Sequence, residues 1–177
     1  MSLVYISLIE PTGNIALEGL RDEIQKVFRA ETRVIKSKID ISTAYDPVRS
    51  QYDASALLLR LLDEQPADVC TILGITEVDL FVSIFEFLFG MAQLNGAGAI
   101  LSTYRLKNER YGLPPDRILF AERLIKEGLH ELGHTFGLVH CFNPHCVMNP
   151  STYVEQIDAK SKELCRQCRT SIDEKKG

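Results

Sequence analysis

His130-Glu131-Leu132-Gly133-His134-Thr135-Phe136-Gly137-Leu138-Val139-His140 is the stretch on which the fold and chemistry of this 177-residue chain turn. Its first five residues read HExxH. On an α-helix a spacing of four puts His130 and His134 on one face a turn apart, so both imidazoles can reach one Zn²⁺ at about 2.0–2.1 Å. Glu131 then lies beside the metal rather than on it. From there it can take a proton from zinc-bound water, whose pKa the metal lowers to about 7, and pass it to a leaving amine. Two histidines leave a catalytic zinc one protein ligand short. Gly137 can adopt left-handed backbone geometry and turn the chain so that His140 swings back as the third. Three ligands with an open fourth position define a catalytic zinc site.

Working toward the N-terminus, Pro114, Pro115 and Asp116 introduce the motif helix, which is expected from about residue 117 to 136. Before it, residues 4–9 read as a buried strand. Asn14 is placed to cap a helix over 15–28, whose buried face is Leu17, Leu20, Ile24, Val27 and Phe28. Residues 32–41 alternate Val34, Ile35, Ile39 and Ile41 with charges as a second strand. A helix opening at Asp53 follows, and then a strongly apolar third strand over 69–75. Residues 84–93 read as an edge strand that opens at Ile84 and is punctuated by Glu86, Gly90 and Gln93. A turn then leads to a last strand over 99–106. The alternation predicts an α/β (α+β) architecture: a mixed, largely parallel twisted sheet with an antiparallel edge, packed on helices.

Beyond His140 the chain is irregular and carries Cys141, Cys146, Cys165 and Cys168. Two closely spaced pairs across a moderate loop match a Cys₄ structural zinc, whose thiolate shell leaves no position for water. Such a clip would hold residues 141–164, because metal-binding energy there becomes folding energy. Two disulfides or four buried thiols are the alternative. His145 sits inside the first cysteine loop and reads as a loop residue, since four thiolates already complete a tetrahedron. Met148 fits either a floor beneath the metal ligands or simple core filling. Tyr153 is a candidate oxyanion donor. Cys70 reads as an inert buried thiol, and residues 166–176 as a solvated tail.

Composition bounds the rest. A net charge of −4 and a pI near 5.6 give no basic surface for nucleic acid. Asp79 and Glu86 interrupt the longest apolar run, so no membrane span is expected, and residues 1–14 lack a signal-peptide plan. A cytoplasmic monomer of one domain is the expectation, with its cysteines reduced.

HExxHxxGxxH followed by Met148 and the four cysteines resembles the archaemetzincin family of metzincin zinc proteases. The resemblance rests on about residues 130–168. It implies two zinc ions per chain, a catalytic one on His130, His134 and His140 and a structural one on Cys141, Cys146, Cys165 and Cys168. Glu131 would be the general base, Met148 the methionine-turn residue, and the activity peptide-bond hydrolysis. It also implies a cleft between an upper part, residues 1–137, and a small lower part, residues 138–177. A peptide or protein substrate would pair with the edge strand from Ile84 to Gln93. A zincin taking its third ligand from Glu155 or Glu163 is a second possibility. From a different class comes a non-catalytic or latent zinc-stabilised peptide-binding module, against which Glu131 argues.

Overall fold

The computed structural model describes residues 2–13, 15–66 and 71–175. Its elements in chain order are β1 (Ser2–Leu8), α1 (Glu18–Phe28), β2 (Ala30–Lys36), β3 (Tyr45–Asp46), β4 (Gln51–Asp53), α2 (Ala54–Asp63) and β5 (Thr71–Thr76). They continue with β6 (Leu80–Val82), β7 (Phe85–Leu88), β8 (Gly90–Ala92), β9 (Gly98–Ser102), α3 (Arg117–Thr135), α4 (Val154–Ala159) and α5 (Arg166–Lys175). Short 3₁₀ turns lie at Ile41–Ala44, Tyr104–Leu106 and Asn108–Tyr111.

Strand alternation explains the layers. Val4 and Ile6 of β1, Leu73 and Ile75 of β5, and Ala99 and Leu101 of β9 face one core with α1 and α3. Tyr5, Ile72 and Ile100 point the opposite way, onto Leu57, Leu58 and Leu61 of α2. Burial on both faces is why these strands read as nearly unbroken apolar runs. Each fully buried Leu or Ile contributes about 1.5–3 kcal/mol relative to an exposed one. The main sheet has the order β2-β1-β5-β9-β8, with parallel pairing from β2 to β9 and β8 antiparallel on the edge. This is the mixed, largely parallel sheet with an antiparallel edge that the sequence predicts.

The expected edge strand over residues 84–93 is in fact two strands in two sheets. β7 pairs antiparallel with β6 in a second sheet, β3-β4-β6-β7, and the chain crosses at Phe89 before β8 joins β9. Strands of two to four residues present too few alternating positions to be read from sequence. The second strand ends at Lys36, because Asp40 draws the chain into a 3₁₀ turn by accepting from the Ser42 N–H at 3.0 Å. The last strand likewise ends at Ser102, short of the predicted 106. The solvated tail is instead α5: Cys168 and Ile172 are buried, and Arg169 Nη1 donates to the Val27 carbonyl at 2.7 Å. Asn14 and Cys70 lie outside the described residues, and α1 begins at Glu18 rather than 15. Among the described residues, no helix is long and apolar enough to cross a membrane.

The aspartates at which α2 and α3 open both act as N-caps. Asp53 accepts from the Ser55 and Ala56 N–H groups, and Asp116 from Ile118 and Leu119 at 3.0 and 2.9 Å. Asp116→Ala is expected to cost about 1 kcal/mol of stability, read as a lowered urea midpoint, with activity per folded molecule unchanged.

Candidate metal centre

α3 is buried almost continuously from Arg123 to Gly133, so the motif enters the protein on a rigid element. It ends in paired backbone bonds: Leu138 N–H donates to Gly133 O at 2.9 Å and Gly137 N–H to His134 O at 2.8 Å. That pattern needs a left-handed residue, and Gly137 supplies it with φ +83°. Phe136, just before the turn, stacks on Phe28 of α1 at 4.6 Å between ring centroids. The turn sends the chain back over the helix and brings His140 to His130 and His134. The three ligand nitrogens all lie within 4.8 Å of one another.

Hydrogen bonds fix two of the rings. A carbonyl can only accept, so His130 Nδ1–H donates to Val147 O at 2.9 Å and His134 Nδ1–H to Leu138 O at 2.8 Å. Both Nε2 atoms then present lone pairs, and they face each other at 3.2 Å. Burial holds all three histidines below their ordinary pKa, most strongly His130, and the Lys160 charge adds to this. Neutral, lone-pair-bearing nitrogens at this separation repel unless a cation lies between them. For a zinc with bonds of about 2.0–2.1 Å the tetrahedral edge is roughly 3.3–3.4 Å, and the donor set fits.

Glu131 is buried on the same helix and lines a cavity of about 670 Å³ with His130, His134 and His140. Burial raises its pKa well above the usual carboxylate range, and the neighbouring Glu127 charge pushes the same way. β8 crosses directly above. A Cβ on Gly90 would fall 2.7 Å from Glu131 Cγ and Oε1, so the strand backbone rests on this carboxylate because Gly90 has no side chain. Below, Met148 is fully buried, and its sulfur occupies the space a side chain at Gly133 would need. The methionine thus packs against the motif helix at Gly133.

The four cysteines form a second cluster. Cys141, Cys146, Cys165 and Cys168 bring their sulfurs within 4.8 Å of one another, and all are free thiols rather than disulfides. Cys141 Sγ and Cys165 Sγ are 3.7 Å apart, against about 3.8 Å for the edge of a ZnS₄ tetrahedron with bonds of about 2.3 Å. The Cys165 N–H donates to Cys146 Sγ at 3.3 Å, a bond suited to a thiolate. The Cys168 backbone N–H holds the Cys165 thiol down to about 7, while burial pushes Cys146 and Cys168 up. His145 is exposed and outside both clusters, with its carbonyl accepting from Ser161 Oγ at 2.6 Å. Tyr153 is exposed on the cavity rim, and Glu155 and Glu163 join neither cluster.

Residues 18–174 match Peptidase family M54. The chain belongs to that family. It is 44% identical to the archaemetzincin of Pyrococcus furiosus over 77% of this chain and 71% of the relative. It is 35% identical to that of Methanocaldococcus jannaschii over 99% and 97%. The crystal structure of archaemetzincin from Methanopyrus kandleri superposes with a TM-score of 0.86 at 31% identity, covering 98% of this chain and 95% of that one. Membership makes the chain a zinc metallopeptidase, and the archaemetzincin resemblance of residues 130–168 extends over its whole length.

Four residues at this centre escape a sequence reading: Gly90, Gly133, Glu127 and Lys160. Gly133 lies inside the motif as a permissive x position, and only the approach of Met148 shows what it does. Lys160 is fully buried, donates to the Asn149 carbonyl at 3.0 Å and pairs with Glu127 at 2.9 Å. The one available signal was Gly90, an interruption in an apolar strand, which often marks close backbone approach. Gly90→Ala is expected to displace Glu131 and lower peptide hydrolysis at least tenfold, with bound zinc and thermal midpoint retained; unchanged turnover would show that the carboxylate tolerates the methyl group.

Proposed function

We propose that the chain hydrolyses peptide bonds in an extended peptide or protein segment lying across the cavity, with Glu131 as general base. The observation that carries this reading is the convergence of His130, His134, His140 and Glu131 on one wall of a cavity whose opposite wall is a sheet edge. His130, His134 and His140 would hold a zinc ion, which would supply Lewis acidity for the scissile carbonyl and for water, whose pKa such an ion lowers to about 7. The rest is done by the chain's own groups. β8 and β7 both line the cavity, and β8 has a free edge for backbone pairing with substrate, so the peptide is held straight. Glu131 takes the proton from the attacking water and returns it to the leaving amine nitrogen.

In the same reading Cys141, Cys146, Cys165 and Cys168 would hold a second, structural zinc: four sulfurs would close its shell and tie the segment after His140 to α5. Residues 1–137 then form the upper part and residues 138–177 the lower. Cys141 follows His140 directly, so the two metals share a backbone, and the clip supports the third histidine. The protein would act as a cytoplasmic monomer on peptide or protein partners, with no nucleic-acid or bilayer surface.

Cleavage of a broad peptide library by the zinc-loaded protein tests this reading. Glu131→Gln is expected to lower turnover by about 10²–10⁴-fold while keeping its zinc, as loss of a general acid–base does. Equal cleavage by wild type and variant would overturn the assignment of Glu131.

A further inference from the structure

β7 is the outer strand of the second sheet and lines the cavity, yet its backbone ladder is interrupted there. Leu88 pairs with Leu80 and Phe85 with Val82, and the register shifts between the two pairs, so Glu86 and Phe87 lie in the irregular stretch. A polar network grips the chain at those two residues. The buried Asp79 takes both arms of one guanidinium: Arg105 Nε donates to Oδ1 and Nη2 to Oδ2, each at 2.7 Å. Gln51 of β4, also buried, spends its two amide hydrogens on Asp79 Oδ2 and on the Glu86 carbonyl, both at 2.9 Å. The Arg105 guanidinium lies 3.9 Å from the centre of the Phe87 ring. Phe87 lines the cavity and Arg105 does not, so the cation sits behind the ring as seen from the cavity.

We propose that Arg105, with Asp79 and Gln51, is a positioning residue that holds Phe87 as the contact for an apolar side chain of the substrate. The proposal rests on the peptidase reading above. A buried ion pair is a poor source of stability compared with apolar packing, but its paired bonds fix direction. Here they fix one backbone carbonyl and one ring, at the point where the strand's own ladder slips. Asp79 neutralises the guanidinium, so the wall presents the ring rather than a charge. Among the β7 side chains that line the cavity only Glu86 is charged, and it is exposed, which leaves Phe85, Phe87 and Leu88 as apolar contacts. Phe87 is three residues from Gly90, which rests on Glu131, and that is at most about 11 Å of chain. A substrate residue within about three positions of the scissile bond therefore meets the ring.

The experiment measures kcat and KM of the zinc-loaded full-length protein on peptides that carry Leu or Ser at each of the three positions on either side of the scissile bond. At one position wild type is expected to favour Leu about tenfold in kcat/KM, and Phe87→Ala should remove that preference. Arg105→Lys keeps the charge opposite Asp79 but loses the planar fork. It should raise KM several-fold for the Leu peptide at that position, with kcat unchanged, and leave the Ser peptide unaffected. A purely structural role would change both peptides alike. Should Arg105→Lys not fold, Gln51→Met, which frees the Glu86 carbonyl and leaves the ion pair intact, is expected to show the same split. Cleavage without a Leu preference, a preference that survives Phe87→Ala, or a KM unchanged or raised equally for both peptides overturns the proposal and leaves the peptidase reading standing; absence of any cleavage overturns both.

Discussion

Two imidazole nitrogens face each other at 3.2 Å with their lone pairs inward, and most of the molecule is arranged to keep them there. Each ring is held from behind by a backbone carbonyl, Val147 for His130 and Leu138 for His134. Those carbonyls belong to the segment after the helix, so the turn at Gly137 both delivers His140 and orients the two histidines that precede it. Burial keeps the rings neutral, which a cation requires and a proton would oppose. In an apolar interior such an arrangement is unfavourable until a metal occupies its centre, so the metal-binding energy belongs to the folding of the lower part as well as to catalysis.

Around that centre the layers have distinct tasks. α3 is pinned between the main sheet and the lower segment, and its apolar face packs on β9 and α1. β8 lies over Glu131, so the strand proposed to receive substrate also packs on the proposed general base. Met148 fills the underside. The cysteine cluster anchors Cys141, and with it the neighbouring His140, the most exposed of the three histidines. The Lys160–Glu127 pair joins α4's end to α3 and to the Asn149 carbonyl beside Met148. Breaking a buried pair by removing one partner typically costs about 3–5 kcal/mol, which makes it a strong constraint on the cavity wall.

Legibility from sequence followed the range of the interactions. The histidine motif is local: helical spacing and one glycine turn decide it, and the three nitrogens meet as expected. The cysteine pairs were readable because thiolate geometry restricts their spacing. Strands β1, β5 and β9 announced themselves by being apolar on both faces, and the starts of α2 and α3 by Asp53 and Asp116. What could not be read depends on distant segments meeting. The chain from Phe85 to Ala92 is continuous in sequence but divided between two sheets, because β6 pairs with one half and β9 with the other. α5 looked like a charged tail because its buried face is narrow, essentially Cys168 and Ile172, and is defined by what it packs against. Gly90, Glu127 and Lys160 acquire their meaning only from the group placed opposite.

The most direct test of the central claim is zinc content by elemental analysis of wild type, His134→Ala and Cys165→Ser. The account predicts two ions per chain in the wild type, one of them lost in His134→Ala while the fold persists, and destabilisation of the lower segment in Cys165→Ser. A single ion that depends on Cys165 and is indifferent to His134 would contradict it, leaving a zinc-clipped scaffold in place of a catalytic metal centre.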